Sequence, residues 1–193
     1  MDAPVGILLA AGRGRRFDPS GARSKLMAAM PLSETPVLAA SARAFKAALA
    51  RVVAVVRPGE SDVAALLLAA GCEVIVCEDA DTGMAASLAA GLRAASEASG
   101  WIVGLADMPW VQAGTVQALA DALASGALIA APVHQGRRGN PVGLSKALLP
   151  ELLALRGDEG ARRLIDHHGF TAIEVDDAGI LRDVDTPADL AAP

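Results

Sequence analysis

Along the chain, short apolar runs alternate with longer segments in which apolar residues recur every three or four positions. The runs are VGILLA (5–10), RVVAVV (51–56), EVIVC (73–77), WIVGLA (101–106), ALIAAPV (127–133) and TAIEV (171–175). Their length and Val/Ile content predict strands, and their near-unbroken apolar character predicts strands covered on both faces. The spacing predicts helices over 36–49, 61–70, 84–98, 114–124, 146–155 and 159–167. Thr35 reads as the N-cap of the first, with Pro36 at its first position, and Gly71 reads as the cap closing the second. Strands alternating with helices predict an α/β fold built on a mostly parallel sheet. In such sheets ligands gather at the carboxyl ends of the strands, so the residues after each strand carry the functional information.

After the first run comes Gly12-Arg13-Gly14-Arg15-Arg16-Phe17, and then Lys25. A dinucleotide fingerprint needs a third glycine where Phe17 stands, an immediate helix and an acidic residue after the second strand, where Arg57 stands instead. A P-loop needs the missing G-K-[ST]. A long loop lying over a polyphosphate remains, with Gly12 and Gly14 allowing close backbone approach and positive φ, and Arg16 and Lys25 supplying charge. A solvated basic loop is the bland alternative. Thr82-Gly83-Met84-Ala85-Ala86-Ser87 opens a helix with small residues, which suits an anion, a base edge or an ordinary cap. Asp107, in Ala106-Asp107-Met108-Pro109, ends the fourth strand where a carboxylate can hold a divalent cation or start a turn. In Asp183-Val184-Asp185-Thr186-Pro187, Thr186 and Pro187 read as the start of a short helix, leaving Asp185 free to complete a metal site with Asp107. Two such carboxylates facing a basic glycine loop suggest phosphoryl or nucleotidyl transfer. Gly136 to Pro141 is either a surface hairpin or a contact to a second anionic substrate. Gly157-Asp158-Glu159-Gly160-Ala161-Arg162 reads as a capped helix start.

Composition narrows the classes. The 193 residues carry net charge −5, so a nucleic-acid-coating protein is disfavoured and the basic cluster at 13–25 stands out as local. Tyr is absent and Phe and Trp number three and two, which leaves little for base-stacking platforms. No apolar run reaches membrane-span length, and the opening MDAPVGILLA lacks a basic n-region, so a cytoplasmic protein is expected. Cys72 and Cys77 lack redox or metal spacing and read as small buried residues on opposite faces of a strand. His134, His167 and His168 have no ligand-like partners and are assigned no chemistry.

Taken together, Leu9-Ala10-Ala11-Gly12 through Arg16 to Lys25-Leu26, Gly83-Met84 with Ser87-Leu88, Leu105 to Pro109, Arg138 to Pro141, Gly157 to Arg162 and Asp183 to Pro187 resemble the MobA-like nucleotidyltransferases. Within that family the likeness is to molybdenum cofactor cytidylyltransferases. The matches run in order over almost the whole chain. The resemblance implies one three-layer α/β/α Rossmann-like domain with a mostly parallel mixed sheet over residues 1–193. It implies Mg2+-dependent transfer of CMP from CTP to the terminal phosphate of molybdopterin, releasing pyrophosphate, with a molybdoenzyme receiving the product. Carried over by position, Leu9, Ala10, Ala11, Gly12, Arg13, Gly14, Arg15, Arg16, Lys25, Gly83 and Ser87 bind the nucleotide. Arg16, Lys25, Asp107 and Asp185 are catalytic, with both aspartates on the metal, and Arg138, Gly139, Asn140 and Pro141 take the acceptor. Ala11, where guanylyl members have glycine, favours a pyrimidine. Two departures stand out: cytidylyl members usually have His at Asn140, and the segment after Lys25, MAAMPLSETPVL, replaces a short glycine turn. A sugar or polyol phosphate acceptor and a non-catalytic cofactor carrier are the alternative functions.

Overall fold

The computed structural model describes residues 3–31 and 33–191. Its strands are β1 (Val5–Leu9), β2 (Val52–Val56), β3 (Glu73–Val76), β4 (Gly100–Leu105), β5 (Ile129–His134), β6 (Arg137–Arg138), β7 (Val142–Ser145) and β8 (Thr171–Glu174). Its α-helices are α1 (Val37–Ala48), α2 (Ser61–Ala69), α3 (Met84–Ala94), α4 (Ala113–Ala124), α5 (Leu149–Ala154), α6 (Arg162–His168) and α7 (Pro187–Ala191). The sheet order is β3-β2-β1-β4-β7-β5-β6, with β8 paired to β5. Strands β1 to β4 pair in parallel, whereas β7 runs antiparallel between β4 and β5. The sheet is therefore mixed and mostly parallel, as the sequence pattern and the resemblance predict.

The period of two in the strands divides the core into two layers. Leu8, Val52, Ala54 and Val56 pack with Leu38 and Phe45 of α1, Leu67 of α2 and Leu119 of α4. Ile7, Val53 and Val55 pack on the other face with Leu88 and Leu92 of α3, Leu152 of α5 and Leu164 of α6. Cys72 and Cys77, flanking β3, are buried in opposite layers, as expected.

Several predicted boundaries move. Residues 146–155 split into a single 3-10 turn at Lys146–Leu148 and α5, with Pro150 at the start of α5. Helix α1 begins at Val37, with Pro36 as its extended N-cap residue and no side-chain cap, because Pro36 bridges Ala29 and the Val37 amide donates to Ala28 O at 2.9 Å. Helix α3 stops at Ala94, and the buried Trp101 indole takes the Ala95 carbonyl at 2.9 Å. Helix α6 begins only at Arg162, without a side-chain cap, because residues 157–160 are drawn onto the start of α3. The short β7 and the two-residue β6 carry too little periodicity to be read in advance. The β5–β6 hairpin turns through Gln135 and Gly136, both at positive φ (50° and 75°), as a two-residue loop requires.

Candidate active site

The carboxyl ends of β1 and β4 converge on one cleft. From β1 the chain passes through Ala10 and Ala11 into the glycine loop. Gly14 adopts φ +60°, and its carbonyl accepts from the amides of Phe17 at 2.9 Å and Asp18 at 3.2 Å. Asp18 then organises the rest of the loop. Its carboxylate accepts from the Ser20 amide at 3.0 Å, the Ser20 hydroxyl at 2.7 Å and the Arg23 amide at 2.8 Å. The Ser20 hydroxyl bond, followed by those from the two amides, holds the Asp18 carboxyl below its ordinary range against the opposing effect of desolvation. The basic loop is thus folded on itself.

Phe17 anchors this loop in a small third cluster with Val37 and Val184. Because Phe17 follows Arg16 and Val184 precedes Asp185, burying the two apolar side chains sets the two charges side by side, and Arg16 pairs with Asp185. The Val184 amide also donates to the Asp107 carbonyl at 2.8 Å, tying the end of β4 to the C-terminal segment. Asp189 accepts from the amides of Asp185 and Thr186 and from the Thr186 hydroxyl, at 3.0, 2.6 and 2.9 Å. That leaves the Asp185 carboxylate free of the helix cap and paired with Arg16 and Lys25.

At the centre, Lys25 Nζ lies 2.6 Å from Asp107 Oδ2 and 3.2 Å from Asp185 Oδ1. Burial pulls the lysine pKa down, but the Asp107 charge and the hydrogen bonds to both carboxylates more than offset it, leaving the ammonium above its ordinary value. Asp107 Oδ1 is buried with no partner among the described residues. Asp183 stands close by, its carboxyl pushed up by burial and then by the charges of Asp185 and Asp107.

Two cavities adjoin here. One of about 350 Å³ is lined by Leu9, Ala10, Ala11, Gly12, Arg13, Lys25, Gly83, Ser87 and Asp107. The other, about 310 Å³, is lined by Arg138, Gly139, Asn140, Val142, Arg162 and Ile165. Leu9, Met84, Leu105 and Asp158 belong to both walls. A Cβ on Gly12 would project into open space. Gly14, Arg16 and Asp185 line neither cavity, and neither does the exposed Arg15. Pro141 lines neither, so of the anticipated acceptor group the structure brings only Arg138, Gly139 and Asn140 to the second cavity. The Arg137–Arg138 segment is both hairpin and cleft wall, so the two sequence readings of it coexist.

Two acids at the cleft are given no chemistry by the sequence pattern. Asp81 pairs with Arg13, at 2.9 Å from Nε to Oδ1, and with Arg57; Arg13 leads in lowering its pKa. Asp158 was read as part of a helix start, yet it lines both cavities. The glycines at 157 and 160 flanking it were the available signal for a loop.

A folded, positively charged glycine loop set against a strand-end carboxylate, Asp107, and a second, Asp185, brought in by the C-terminal segment belongs to a nucleotidyltransferase, and comparison with known proteins agrees. The chain belongs to the family described as MobA-like NTP transferase domain, whose model matches residues 6–172. It is 37% identical over 117 residues to the purine catabolism protein PucB of Bacillus subtilis (strain 168), a match covering 58% of this chain and 56% of PucB. The chain thus spans little more than half the length of that relative. Rv0371c from Mycobacterium tuberculosis H37Rv is 28% identical over 98% of this chain and 96% of its own, with a TM-score of 0.82. A structure of Rv0371c in complex with manganese has 26% identity, the same coverage and a TM-score of 0.78. A nucleotidyl transferase from Methanothermobacter thermautotroptrophicus (Mth528), 21% identical with a TM-score of 0.82 over 99% of this chain and 95% of that one, shares the fold. No helix among the described residues is long and apolar enough to cross a membrane.

The residues present fit a hard divalent cation. Two carboxylates are gathered at one point, and one of their oxygens is buried and unmet. Mg2+ and Mn2+ accept one or two carboxylates when substrate phosphates and water fill the remaining positions.

Proposed function

We propose that this chain transfers CMP from CTP to the terminal phosphate of molybdopterin, releasing pyrophosphate, with Mg2+ as cofactor. The observation that carries the reading is the gathering of Asp107 and Asp185 around a single Lys25 ammonium beneath the glycine loop. An acceptor phosphate oxygen attacks the α-phosphorus of CTP in line. The new O–P bond forms as the bond to the bridging oxygen breaks, and pyrophosphate leaves with that electron pair.

The loop amides of Gly12 and Gly14, with Arg13 and Arg15, cradle the triphosphate. Lys25 and Arg16, each paired with a carboxylate, exchange those partners for phosphate oxygens and stabilise the leaving group. Asp107 and Asp185 would hold Mg2+, which when bound would neutralise charge on the phosphates. Leu9, Ala10, Ala11, Gly83 and Ser87 receive the base. The Ala11 methyl narrows that end of the cavity, favouring a pyrimidine by about 1–3 kcal/mol. The second cavity, with Arg138, Gly139 and Asn140, receives the acceptor, and Pro141 holds that loop from behind. A molybdoenzyme takes up the product.

The family match and the resemblance of the Arg138–Pro141 and Gly157–Arg162 segments support this acceptor. The test is pyrophosphate release with each of CTP, GTP, ATP and UTP, with and without molybdopterin. CTP-selective, pterin-dependent release is expected. Release driven by a sugar or polyol phosphate instead overturns the acceptor, and binding of the pterin without any turnover makes the chain a carrier.

A further inference from the structure

Asp158 is a carboxylate placed where two cavities meet, in walls otherwise made largely of apolar residues such as Leu9, Met84 and Leu105. Its side chain makes no hydrogen bond or ion pair among the described residues. Its position is nonetheless fixed by its neighbours. The Gly157 carbonyl accepts from the Ala85 amide at 3.0 Å, closing the first turn of α3. Gly83, at φ +127°, packs so closely that a Cβ there would overlap the Gly157 carbonyl, and the Cβ position of Gly160 touches Met84 Sδ at 3.3 Å. Asp158 is open to water, so a ligand entering the cleft can replace that water with its own donors, on a carboxylate whose backbone is already held in place.

We infer that Asp158 is a specificity residue of the acceptor half of the site, pairing through both oxygens with a heterocycle that presents a ring N–H beside an exocyclic amino group. This rests on the acceptor reading above. A phosphate-bearing end is repelled by the carboxylate and turns toward the basic loop or toward Arg138 and Arg162. Cytosine offers its amino group beside an acceptor nitrogen, so a carboxylate facing that edge gains one bond and one repulsion. A pterin offers N3–H and the 2-amino group together, which a carboxylate meets with two charge-assisted bonds.

The test compares 6-hydroxymethylpterin phosphate with its 2-oxo counterpart, 6-hydroxymethyllumazine phosphate, by fluorescence titration against the full chain. Wild type binds the pterin tighter by about 10- to 100-fold, the range of one bidentate pair. Asp158→Ala abolishes that preference, and Asp158→Asn reverses it, because the amide donates to the 2-oxo group while accepting from N3–H. Asp158 has no partner to lose among the described residues, so both variants fold. Equal binding of the two probes by wild type, or a preference that survives Asp158→Ala, overturns the assignment while leaving the acceptor reading standing. Failure of wild type to bind either probe overturns both. A loss in either variant that falls on CTP or GTP with the probe ratio untouched moves Asp158 to the nucleotide half and overturns the inference.

Discussion

Gly83→Ala tests whether the two cavities share one wall. Gly83 sits at φ +127° and ψ 173°, a conformation open essentially to glycine alone, so alanine there carries strain of about 1–3 kcal/mol. The added Cβ also overlaps the Gly157 carbonyl and comes 2.8 Å from Gly157 Cα. Relief requires the 157–160 loop to retreat by about 1 Å, a displacement large enough to disturb substrate positioning, and that retreat breaks the Ala85 amide bond to Gly157, worth about 0.5–1.5 kcal/mol. Gly126→Ala is the control. Gly126 also has positive φ, +98°, but nothing lies within 4 Å of its Cβ position, and it precedes β5 at the end of the sheet away from the cleft. Both variants carry strain, and only Gly83→Ala loses the latch. At roughly 2–4 °C per kcal/mol for a chain of this size, Gly83→Ala should melt about 2–5 °C below Gly126→Ala.

The kinetic difference is larger. A wall displaced by about 1 Å lowers kcat/KM about 10- to 100-fold. Because Met84 and Asp158 belong to both cavities, the KM values for nucleotide and acceptor rise together. The assays are thermal unfolding and steady-state pyrophosphate release with each substrate varied in turn. Gly83→Ala with wild-type KM values, or with a melting temperature equal to that of Gly126→Ala, refutes the shared wall.

Asp107→Ala and Asp185→Ala should each lower pyrophosphate release at least about 10²-fold, as loss of a charge-stabilising group does, while circular dichroism stays native; either variant turning over at the wild-type rate removes the carboxylate pair from the mechanism. Ala11→Gly should relax CTP-over-GTP discrimination by about 10-fold or more, the effect of one methyl in a shape-selective pocket, and unchanged kcat/KM ratios would leave base choice elsewhere. Burial raises the Cys72 thiol above its ordinary 9.0, so the folded chain holds that proton more tightly than the unfolded chain does. Its contribution to stability is therefore present below pH 9.0 and declines as pH rises through the unfolded value, and the thiol resists a disulfide-exchange reagent at pH 8.5 until denaturant is added. Fast reaction of the native chain at that pH contradicts the burial.

Local chemistry made the layered fold legible. Runs such as RVVAVV and WIVGLA have no stable place except inside a covered sheet, and the helices between them carry their own stop signals, as at Gly71. What stayed hidden depends on pairing across the chain. β7 is four residues including a glycine, and only its position between β4 and β5 makes it a strand. The late start of α6 has the same origin: nothing in Gly157–Gly160 announces that its carbonyl will cap a helix more than seventy residues earlier.

The site divides along the same line. Asp107 and the glycine loop follow buried strands directly, so strand position alone marked them. Asp185 belongs to no strand, and the apolar residue before it is what brings it in. Val184 is fully buried against Phe17, and Phe17 in turn carries Arg16. Phe17, whose place disqualified a third glycine and a dinucleotide fingerprint, is therefore the device that lets a loop without a following helix hold a fixed shape. A loop opening a helix borrows its rigidity from the helix; here the rigidity comes from a buried aromatic and from Asp18, which gathers two amides and a hydroxyl. The same arrangement leaves the loop's cations free to change partners, because none of its anchoring contacts uses Lys25 or Arg16.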